Sequence, residues 1–293
     1  MAYFTKEMRK AAAEPVRIAL AEDIGEAGDI TSRAAVGADA QATGSYVYKE
    51  DAVVCGVGVL EEICSQVSRG IVIEVLKGDR EEVSAGDTAL KVYGPARALL
   101  AVERTSLNFL SHLSGIATLT RAFVDAVSGT KAQIYDTRKT LPGLRVLEKY
   151  AVLCGGGVNH RMGLYDQILV KDNHIELMRR AGRQMGLAEA LVEVRKKAAS
   201  GVLVEVEAKT LSEVEAAVAG GADIIMLDNM KPALMKKCVE WVKKNSRRKI
   251  PIEASGGVTL RNVARVAATG VDRISIGALT HSAPSIDISL EME

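Results

Sequence analysis

From residue 133 onward the sequence alternates short apolar runs with helical segments, and this alternation constrains the fold more than any other feature. We predict strands over residues 133–135, 167–170, 202–206, 223–227, 249–252 and 273–276. Strands that alternate with helices form parallel sheets with right-handed crossovers. An open doubly wound sheet and a closed barrel both fit this pattern. No G-x-G-x-x-G follows a strand, so the fingerprint of a dinucleotide-binding fold is missing.

The first third of the chain has a different pattern of predicted helices and strands, typical of a small α+β unit. We predict helices over 6–22 and 59–67, a turn or helix cap at Asp29 and Thr31, and strands over 44–48, 52–57, 71–75 and 89–93. A long helix follows over residues 96–127, because apolar residues recur there at spacings of three and four. Arg104 points away from that stripe. By pattern alone it is either a solvated charge or a functional residue.

Helix boundaries in the last third are marked by local signals. Thr210 and Glu213 form a capping box before an apolar run, and Gly220 with Gly221 ends that helix. Two further helices are predicted over residues 232–244 and 260–268.

Composition excludes several classes of protein. The 38 Lys and Arg balance the 37 Asp and Glu to a net charge of +1, and 48% of residues are hydrophobic. A nucleic-acid binder usually carries a basic excess, and a disordered chain combines low hydrophobicity with high net charge. The 293 residues suffice for about two domains. We therefore expect a globular enzyme that does not bind nucleic acid.

The cysteine, histidine and apolar patterns predict a cytoplasmic location. Four Cys without a C-x-x-C pair indicate reduced thiols, and four His without an H-E-x-x-H motif make a structural zinc site improbable. The N-terminus lacks the apolar segment of a signal peptide. No run approaches the roughly 18 apolar residues of a membrane span.

Every predicted strand of the last two thirds is followed by charged or small polar residues. Strand by strand, these are Asp136 to Lys139, Lys171 to Asn173, Glu205 and Glu207, Asp228 and Asn229, Glu253 to Gly257, and Ser275 to Gly277. In an α/β barrel all strand C-termini open onto the face that holds the active site. One such residue is usually a turn or cap residue, but six strands ending this way point to a shared site.

A glycine-rich loop lies between the first two of these strands and ends in His160 and Arg161. A lone histidine is often a satisfied core residue, and a glycine-rich loop can be merely flexible. Beside Arg161, contact with a ligand is the favoured interpretation of His160, since glycines allow the backbone close to a ligand.

The charges are segregated by sign along the strands. Cations on the early strands suit an anionic substrate, and arginine binds carboxylate or phosphate through two hydrogen bonds. Glu207 and Asp228 on the middle strands suit sugar hydroxyls and Mg²⁺. The glycine-rich turns after the last two strands suit a phosphate. The sequence thus predicts a polyanion, a ribose-like diol, a divalent metal and a phosphate as ligands.

These residues resemble the quinolinate phosphoribosyltransferase family over nearly the whole chain. The matching segments are Asp136-Thr-Arg-Lys-Thr-Leu-Pro-Gly-Leu-Arg145, Asn159-His-Arg-Met-Gly-Leu164, Ile168-Leu-Val-Lys-Asp-Asn-His174, Glu205-Val-Glu207, Leu227-Asp-Asn229, Glu253-Ala-Ser-Gly-Gly257 and Ser275-Ile-Gly-Ala-Leu-Thr-His-Ser282. One departure is Leu141, where the family commonly has a second Thr, so one phosphate contact is missing from the pattern.

The resemblance implies both reaction and fold. Quinolinate and phosphoribosyl pyrophosphate would give nicotinate mononucleotide, pyrophosphate and CO₂, with Mg²⁺ as cofactor. The implied fold is an N-terminal α/β sandwich, residues 1–112 with the tail 281–293 returning to it, and an incomplete α/β barrel of about six parallel strands, residues 113–280. The resemblance also implies a homodimer, or a hexamer built from dimers, in which Arg104 enters the site of the neighbouring subunit.

The resemblance further implies a role for each matching residue. The quinolinate carboxylates would be held by Arg138, His160, Arg161, Lys171 and the neighbour's Arg104. Lys139 would meet the pyrophosphate, beside Thr137 as a further substrate contact. Glu207 and Asp228 would hold the ribose hydroxyls, directly or through Mg²⁺. The 5-phosphate would lie against Ser255, Gly256, Gly257, Ser275, Ile276 and Gly277. The expected catalytic set is Lys139, Lys171, Glu207 and Asp228.

Three alternatives stay open at this point. A paralogous molybdenum-transport-associated pyrophosphorylase-like protein shares the fold but tends to lack the full Lys171–His174 segment, which is intact here. A Schiff-base aldolase would use Lys171 as its nucleophile. A non-catalytic binding protein would not need the intact set of charges.

Overall fold

The structure is a computed structural model that describes residues 4–180 and 185–293. The first elements are α1 (Lys6–Ile24), α2 (Ile30–Ala35), β1 (Gln41–Tyr48), β2 (Ala52–Val53), α3 (Val57–Val67), β3 (Val72–Val75), β4 (Glu82–Val83), β5 (Thr88–Pro95) and α4 (Ala96–Ala126). Then follow β6 (Gln133–Tyr135), α5 (Arg145–Cys154), β7 (Ile168–Val170), α6 (Asp172–Arg180), α7 (Leu187–Lys197), β8 (Val204–Ala208), α8 (Leu211–Ala219), β9 (Ile224–Asp228), α9 (Pro232–Asn245), β10 (Ile252–Ser255), α10 (Val263–Ala267), β11 (Arg273–Ser275), α11 (Ala278–His281) and β12 (Ile288–Met292).

The chain divides into two compact units that interleave along the sequence. Unit 1 combines the residues up to 121 with segments 139–157 and 278–293, and unit 2 combines segments 122–138 and 158–277. The predicted domain boundary at residues 112 and 113 lies inside α4, because the apolar stripe of that helix continues without interruption. Segment 139–157, which the sequence analysis assigned to the barrel domain, groups with unit 1 in this division.

Unit 1 is built on an antiparallel sheet with the strand order β12-β1-β5-β3. Tyr46 and Tyr48 on the central strand β1 are fully buried. Their hydroxyls are hydrogen-bonded to Ser106 (2.7 Å) and Ser114 (3.0 Å) of α4. Since a buried hydroxyl without a partner is costly, these two bonds fix which face of α4 covers the sheet.

The predicted strand over residues 52–57 is wrong beyond Val53. The Cys55 N–H donates to the Ser114 hydroxyl (3.1 Å), and the Gly56 N–H donates to the Asp79 carboxylate (2.8 Å). These backbone N–H groups are therefore hydrogen-bonded to side chains and not to the backbone of a neighbouring strand. Gly56 has φ = 116°, a conformation that favours glycine, and it leads directly into α3.

Unit 2 contains a parallel sheet with the order β6-β11-β10-β9-β8-β7. Each neighbouring pair runs parallel, and the first strand, β6, lies beside the last, β11. Among the described residues no ladder joins β6 to β7. A doubly wound sheet reverses its strand order at a switch point, whereas this order advances in one direction around a ring. The α/β prediction is confirmed, and the order identifies the incomplete barrel.

Two local predictions in the helices are confirmed. The Asp29 carboxylate caps α2 by accepting the Ser32 N–H (2.9 Å). The Thr210 hydroxyl accepts the Glu213 N–H (3.2 Å) at the start of α8, as the capping box predicts. The helix predicted over 260–268 forms only over Val263–Ala267. No helix in the described ranges is both long and apolar enough to cross a membrane.

Close packing between α4 and the C-terminal segment generates a stability prediction. A Cβ atom on Gly115 would lie 2.0 Å from the backbone oxygen of Pro284. Replacing a glycine inside a helix by alanine normally stabilises the helix by about 1 kcal/mol. Here we expect Gly115→Ala to lower the free energy of unfolding by roughly 1–3 kcal/mol, because the added methyl overpacks the contact. Urea denaturation measures the change.

The matched control is Asn108→Ala, at an exposed position of the same helix. Its stability should change by no more than about 0.5 kcal/mol. A Gly115→Ala protein at least as stable as the parent would show that the segment does not pack as described.

Candidate active site

The C-terminal ends of the barrel strands bring most of the predicted site residues to one side of unit 2. The ladder pairs Ser255 with Asp228 and also with Ser275. Because the strands are parallel and in register, these ends lie level with one another. Lys171 directly follows β7, and Glu207 is the penultimate residue of β8.

Lys171 and Glu207 form an ion pair across two neighbouring strand ends. The Lys171 Nζ lies 2.6 Å from the Glu207 Oε1, and the two side chains are 43% and 13% exposed. A lysine that forms a Schiff base must be uncharged, which burial in an apolar pocket promotes. A half-exposed lysine paired with a carboxylate does not match that description.

Asp228 lies among polar groups at the end of β9. Its carboxylate accepts a hydrogen bond from the Asn229 side chain (2.8 Å) and lies 4.0 Å from the Lys209 Nζ. The same lysine pairs with Asp172 at 2.6 Å. The sequence analysis missed Lys209 because it follows the predicted end of β8 and precedes a capping box, where a lysine ordinarily faces solvent.

The charge of Arg161 is influenced by burial and by a second guanidinium. Burial lowers the pKa of Arg161, and the positive charge of Arg138 lowers it further. The Arg161 Nη1 donates to the backbone oxygen of Gln167 (3.0 Å), a neutral acceptor. Glu205, Asp166 and Glu207 act in the opposite direction. A bound anion would add to that compensation.

The turn after β10 brings the backbone close to a neighbouring loop. A Cβ atom on Gly256, which has φ = 92°, would lie 2.3 Å from the Asn229 Oδ1. The Asn229 N–H also donates to the Ser255 oxygen (2.9 Å). Only glycine fits at residue 256, so the sequence signal for a phosphate-binding turn also has a packing cause.

Two residues of the last strand end have their polar groups engaged elsewhere. The Ser275 hydroxyl, which is buried, donates to the Glu253 Oε1 at 2.5 Å. The Ile276 N–H donates to the backbone oxygen of Tyr135 (2.9 Å). The Ser275 side chain therefore faces Glu253. The predicted contacts of Ser275, Ile276 and Gly277 with a phosphate stay predictions.

His160 lies inside the barrel, and its two ring nitrogens face protein groups. Its side chain is 6% exposed, and Nε2 lies 3.1 Å from Glu205 and 3.4 Å from Glu253. Nδ1 accepts the Arg161 N–H at 2.8 Å. The preceding segment pairs with β6 through Val158, and the His160 N–H donates to Asp136 (2.8 Å). The structure thus places His160 beneath the mouth, and its predicted contact with quinolinate stays a prediction.

Burial and charge act in opposite directions on this cluster. Burial lowers the pKa of His160, but Glu205 and Glu253 outweigh burial and raise the pKa to about 9. A second proton on Nδ1 would nevertheless face the Arg161 N–H, so the observed bond requires the neutral ring with its proton on Nε2. Burial also raises the pKa of Glu205.

Among the described residues, two groups of side chains could bind a metal ion. The only group of three or more converging His, Cys, Asp or Glu donors in the described ranges is His160, Glu205 and Glu253, which is buried. At the mouth, Glu207 and Asp228 supply one carboxylate each from adjacent strands. Mg²⁺ commonly takes one or two carboxylates plus substrate phosphates, which fits the second set.

The remaining predicted residues, Arg104 and Lys139, belong to unit 1. Arg104 is exposed on α4 and lines a cavity of about 430 Å³ together with Leu107, Ser111 and Ile286. Lys139 is exposed, and its backbone oxygen accepts the Thr280 hydroxyl (2.8 Å). In the loop that follows Lys139, the Leu141 N–H donates a hydrogen bond to the Glu148 carboxylate (3.1 Å).

Comparison with known sequences gives a consistent result along the chain. The family described as "Quinolinate phosphoribosyl transferase, C-terminal domain" matches residues 116–291, and the corresponding N-terminal domain matches residues 29–114. A nicotinate-nucleotide pyrophosphorylase (carboxylating) of Mycobacterium leprae is 43% identical over 286 residues, which are 96% of this chain and 97% of that protein. A probable enzyme of the same name from Bacillus subtilis is 41% identical over 92% of this chain and 90% of its own length.

Solved structures agree with the sequence comparison. The nicotinate-nucleotide pyrophosphorylase of Francisella tularensis superposes with a TM-score of 0.88 at 38% identity and covers 97% of both chains. That of Ehrlichia chaffeensis gives a TM-score of 0.87 at 39% identity and covers 96% of this chain and 98% of its own. The barrel, its mouth and these matches together show that the chain belongs to the quinolinate phosphoribosyltransferase family.

Proposed function

We infer that this chain transfers the phosphoribosyl group of phosphoribosyl pyrophosphate to quinolinate, with loss of CO₂, as a step in NAD biosynthesis. The products are nicotinate mononucleotide and pyrophosphate. The observation that carries this function is a barrel mouth that presents Lys171 beside Glu207, together with the repulsion between Arg161 and the nearby Arg138. A dianion relieves that repulsion, and quinolinate carries two carboxylates.

The quinolinate carboxylates would be bound by the guanidiniums of Arg138 and Arg161 and the ammonium of Lys171. The neutral anchor of Arg161, the Gln167 backbone oxygen, leaves its positive charge available to the substrate. Fixed cations of this kind hold the ring nitrogen in line with the ribose carbon that it attacks, which lowers the entropic cost of reaction.

Glu207 and Asp228 would act on the second substrate. Their carboxylates suit the ribose hydroxyls and would stabilise the positive charge that develops on the ribose when pyrophosphate leaves. They are also the residues that would hold Mg²⁺. When bound, this ion would neutralise part of the negative charge of the pyrophosphate. Lys171 would have to release part of its contact with Glu207 when substrate binds.

The pyrophosphate and the 5-phosphate would be bound by separate groups. Exposed Lys139 suits the pyrophosphate, and Thr137 is a further substrate contact two residues before it in the chain. The turn Ser255 to Gly257 presents backbone with positive φ at both glycines, a geometry that can turn N–H groups toward an anion. Gly277 would extend that binding surface at the next strand.

Decarboxylation follows from the charge that transfer creates. Once the ring nitrogen carries the phosphoribosyl group it is positive, so the electron pair left when CO₂ departs from the adjacent carbon is stabilised. That carbon then takes up a proton. No described side chain has to form a covalent bond for this sequence of steps, so positioning and electrostatics suffice.

Arg104 would complete the site of a neighbouring subunit in a homodimer. Support comes from its exposure on α4 and from the cavity that it lines in unit 1. No hydrogen bond or ion pair engages its guanidinium among the described residues. An additional cation from a partner would match the demand of a dianionic substrate.

The first prediction concerns the reaction itself. Purified protein with quinolinate, phosphoribosyl pyrophosphate and Mg²⁺ is expected to release nicotinate mononucleotide and CO₂. Chromatography measures the nucleotide, and labelled CO₂ measures the decarboxylation. Chelation with EDTA should stop turnover, and added Mg²⁺ should restore it. Turnover of nicotinate but not of quinolinate would contradict the assignment, because nicotinate lacks the second carboxylate.

The second prediction concerns Arg161. Loss of its charge-assisted hydrogen bonds should raise the KM for quinolinate roughly 10- to 100-fold in Arg161→Ala, since such bonds contribute about 1.5–3 kcal/mol. The KM for phosphoribosyl pyrophosphate should stay within about threefold. Arg247→Ala, an exposed arginine preceding β10, is the control. Equal increases in both KM values would refute the assigned role.

The third prediction tests the shared site. Arg104→Ala and Lys171→Ala subunits, each inactive, are mixed and allowed to exchange. Half of the dimers would then be mixed, each with one intact site, so activity should recover to about one quarter of the parent value. A mixture of Arg161→Ala with Lys171→Ala is the control, and its activity should not exceed that of the two proteins measured separately, because both substitutions lie in the same barrel. No recovery in the first mixture would exclude sharing.

A further inference from the structure

A buried polar cluster inside the barrel is unexplained by the proposed function. His160, Glu205 and Glu253 all belong to unit 2, and both carboxylates have no exposed surface. Buried carboxylates are expensive unless every oxygen is satisfied. Two of the four oxygens, Glu205 Oε1 and Glu253 Oε2, accept no hydrogen bond within the described residues. A cluster with this cost is poorly explained by stability alone.

The satisfied oxygens connect the cluster to the barrel wall. Glu205 Oε2 accepts the Gln167 side-chain amide (2.6 Å), and Glu253 Oε1 accepts the Ser275 hydroxyl (2.5 Å). These contacts join the segment before β7 to β8 and join β10 to β11. His160 lies against the same two oxygens, at 3.1 and 3.4 Å.

Two separate routes lead from Glu205 to Arg161. On the first, Glu205 faces the His160 Nε2, and the His160 Nδ1 accepts the backbone N–H of Arg161 (2.8 Å). On the second, Glu205 holds the side chain of Gln167, and the backbone oxygen of Gln167 accepts the guanidinium of Arg161 (3.0 Å). One buried carboxylate is thus linked to both the backbone and the side chain of Arg161, through a close approach to the ring on the first route and through hydrogen bonds on the second.

We propose that Glu205 is a positioning residue for quinolinate recognition, acting through His160 and Gln167 on Arg161. His160 contributes to quinolinate binding through Arg161 and not through a ring nitrogen of its own, since both nitrogens face protein groups. Glu253 on β10 approaches the same ring nitrogen. This inference rests on the proposed function only in that Arg161 binds quinolinate.

The choice of substitutions follows from the hydrogen bonds. Both contacts of Glu205 use Oε2, so a glutamine that places its amide oxygen there keeps both acceptor contacts. Glu205→Met keeps the approximate volume and removes the acceptor. We expect Glu205→Met to raise the KM for quinolinate roughly 10-fold, as a displaced binding group does. Glu205→Gln should restore most of that loss, and the KM for phosphoribosyl pyrophosphate should stay within about threefold in both.

The decisive measurement is a double-mutant cycle with Arg161→Ala. If Glu205 acts through Arg161, adding Glu205→Met to Arg161→Ala should leave the KM for quinolinate unchanged. Additive effects, or an equal rise in the KM for the other substrate, would overturn the proposal. Val239→Ala, a buried substitution on α9 outside the cluster, is the control for lost stability and should not alter the ratio of the two KM values.

Two substitutions of His160 test the route if Glu205→Met does not fold. His160→Asn can keep an acceptor near the Arg161 N–H, whereas His160→Gln can keep only a donor toward the carboxylates. The KM for quinolinate should rise more in His160→Gln than in His160→Asn, and the opposite order would overturn the proposal. One equivalent of tightly bound metal that is lost in Glu253→Gln would also overturn it, by making the cluster a metal site.

Failure of this inference is distinguishable from failure of the proposed function. If Arg161→Ala leaves the KM for quinolinate unchanged, the assignment of Arg161 fails first. If Arg161→Ala raises that KM but Glu205→Met does not, only the positioning role fails.

Discussion

The hydrogen-bonded pairing of the first barrel strand with the last is the constraint on which unit 2 depends. Because β6 lies beside β11, the parallel strands follow one another around a ring, and alternate residues of each strand point into its interior. Glu205 and Glu207 on β8 differ by two residues and so share that side, as do Glu253 and Ser255 on β10. The residue nearer the strand end reaches the mouth, and the one before it lies in the buried cluster.

The architecture could be predicted from sequence because it depends on hydrophobic periodicity, but the strand ends could not be located accurately. Predicted strands 202–206, 223–227 and 249–252 each end before the observed strands. The apolar run stops where the side chains turn polar, whereas the backbone ladder continues through Asp228 and Ser255. The polar residues at the barrel mouth are part of the strands, so a hydrophobicity criterion excludes the very residues that are candidates for the site.

The mouth could be predicted in outline, and the interior could not. Lys171, Glu207 and Asp228 were found because charged residues after apolar runs are conspicuous. Nothing in the sequence distinguished Glu205 from Glu207, or showed that the Ser275 hydroxyl faces Glu253, since both depend on which strands become neighbours. Strand alternation was the available signal: a carboxylate two residues before a mouth residue must lie one layer deeper. Residues 139–157 follow a barrel strand in sequence but group with unit 1, since sequence order does not reveal the packing partners of a helix.

In the proposed arrangement the buried cluster positions Arg161 without pairing with its positive charge. If a carboxylate were paired directly with Arg161, it would compete with the carboxylates of an anionic substrate for the same donors. The neutral oxygen of Gln167 instead fixes the guanidinium, and Glu205 acts one bond further away, on the Gln167 side chain. The geometry of Arg161 is thereby held without neutralising its charge. The positive charge of Arg138 still acts on Arg161, and under the proposed function an anionic substrate would reduce that repulsion on binding.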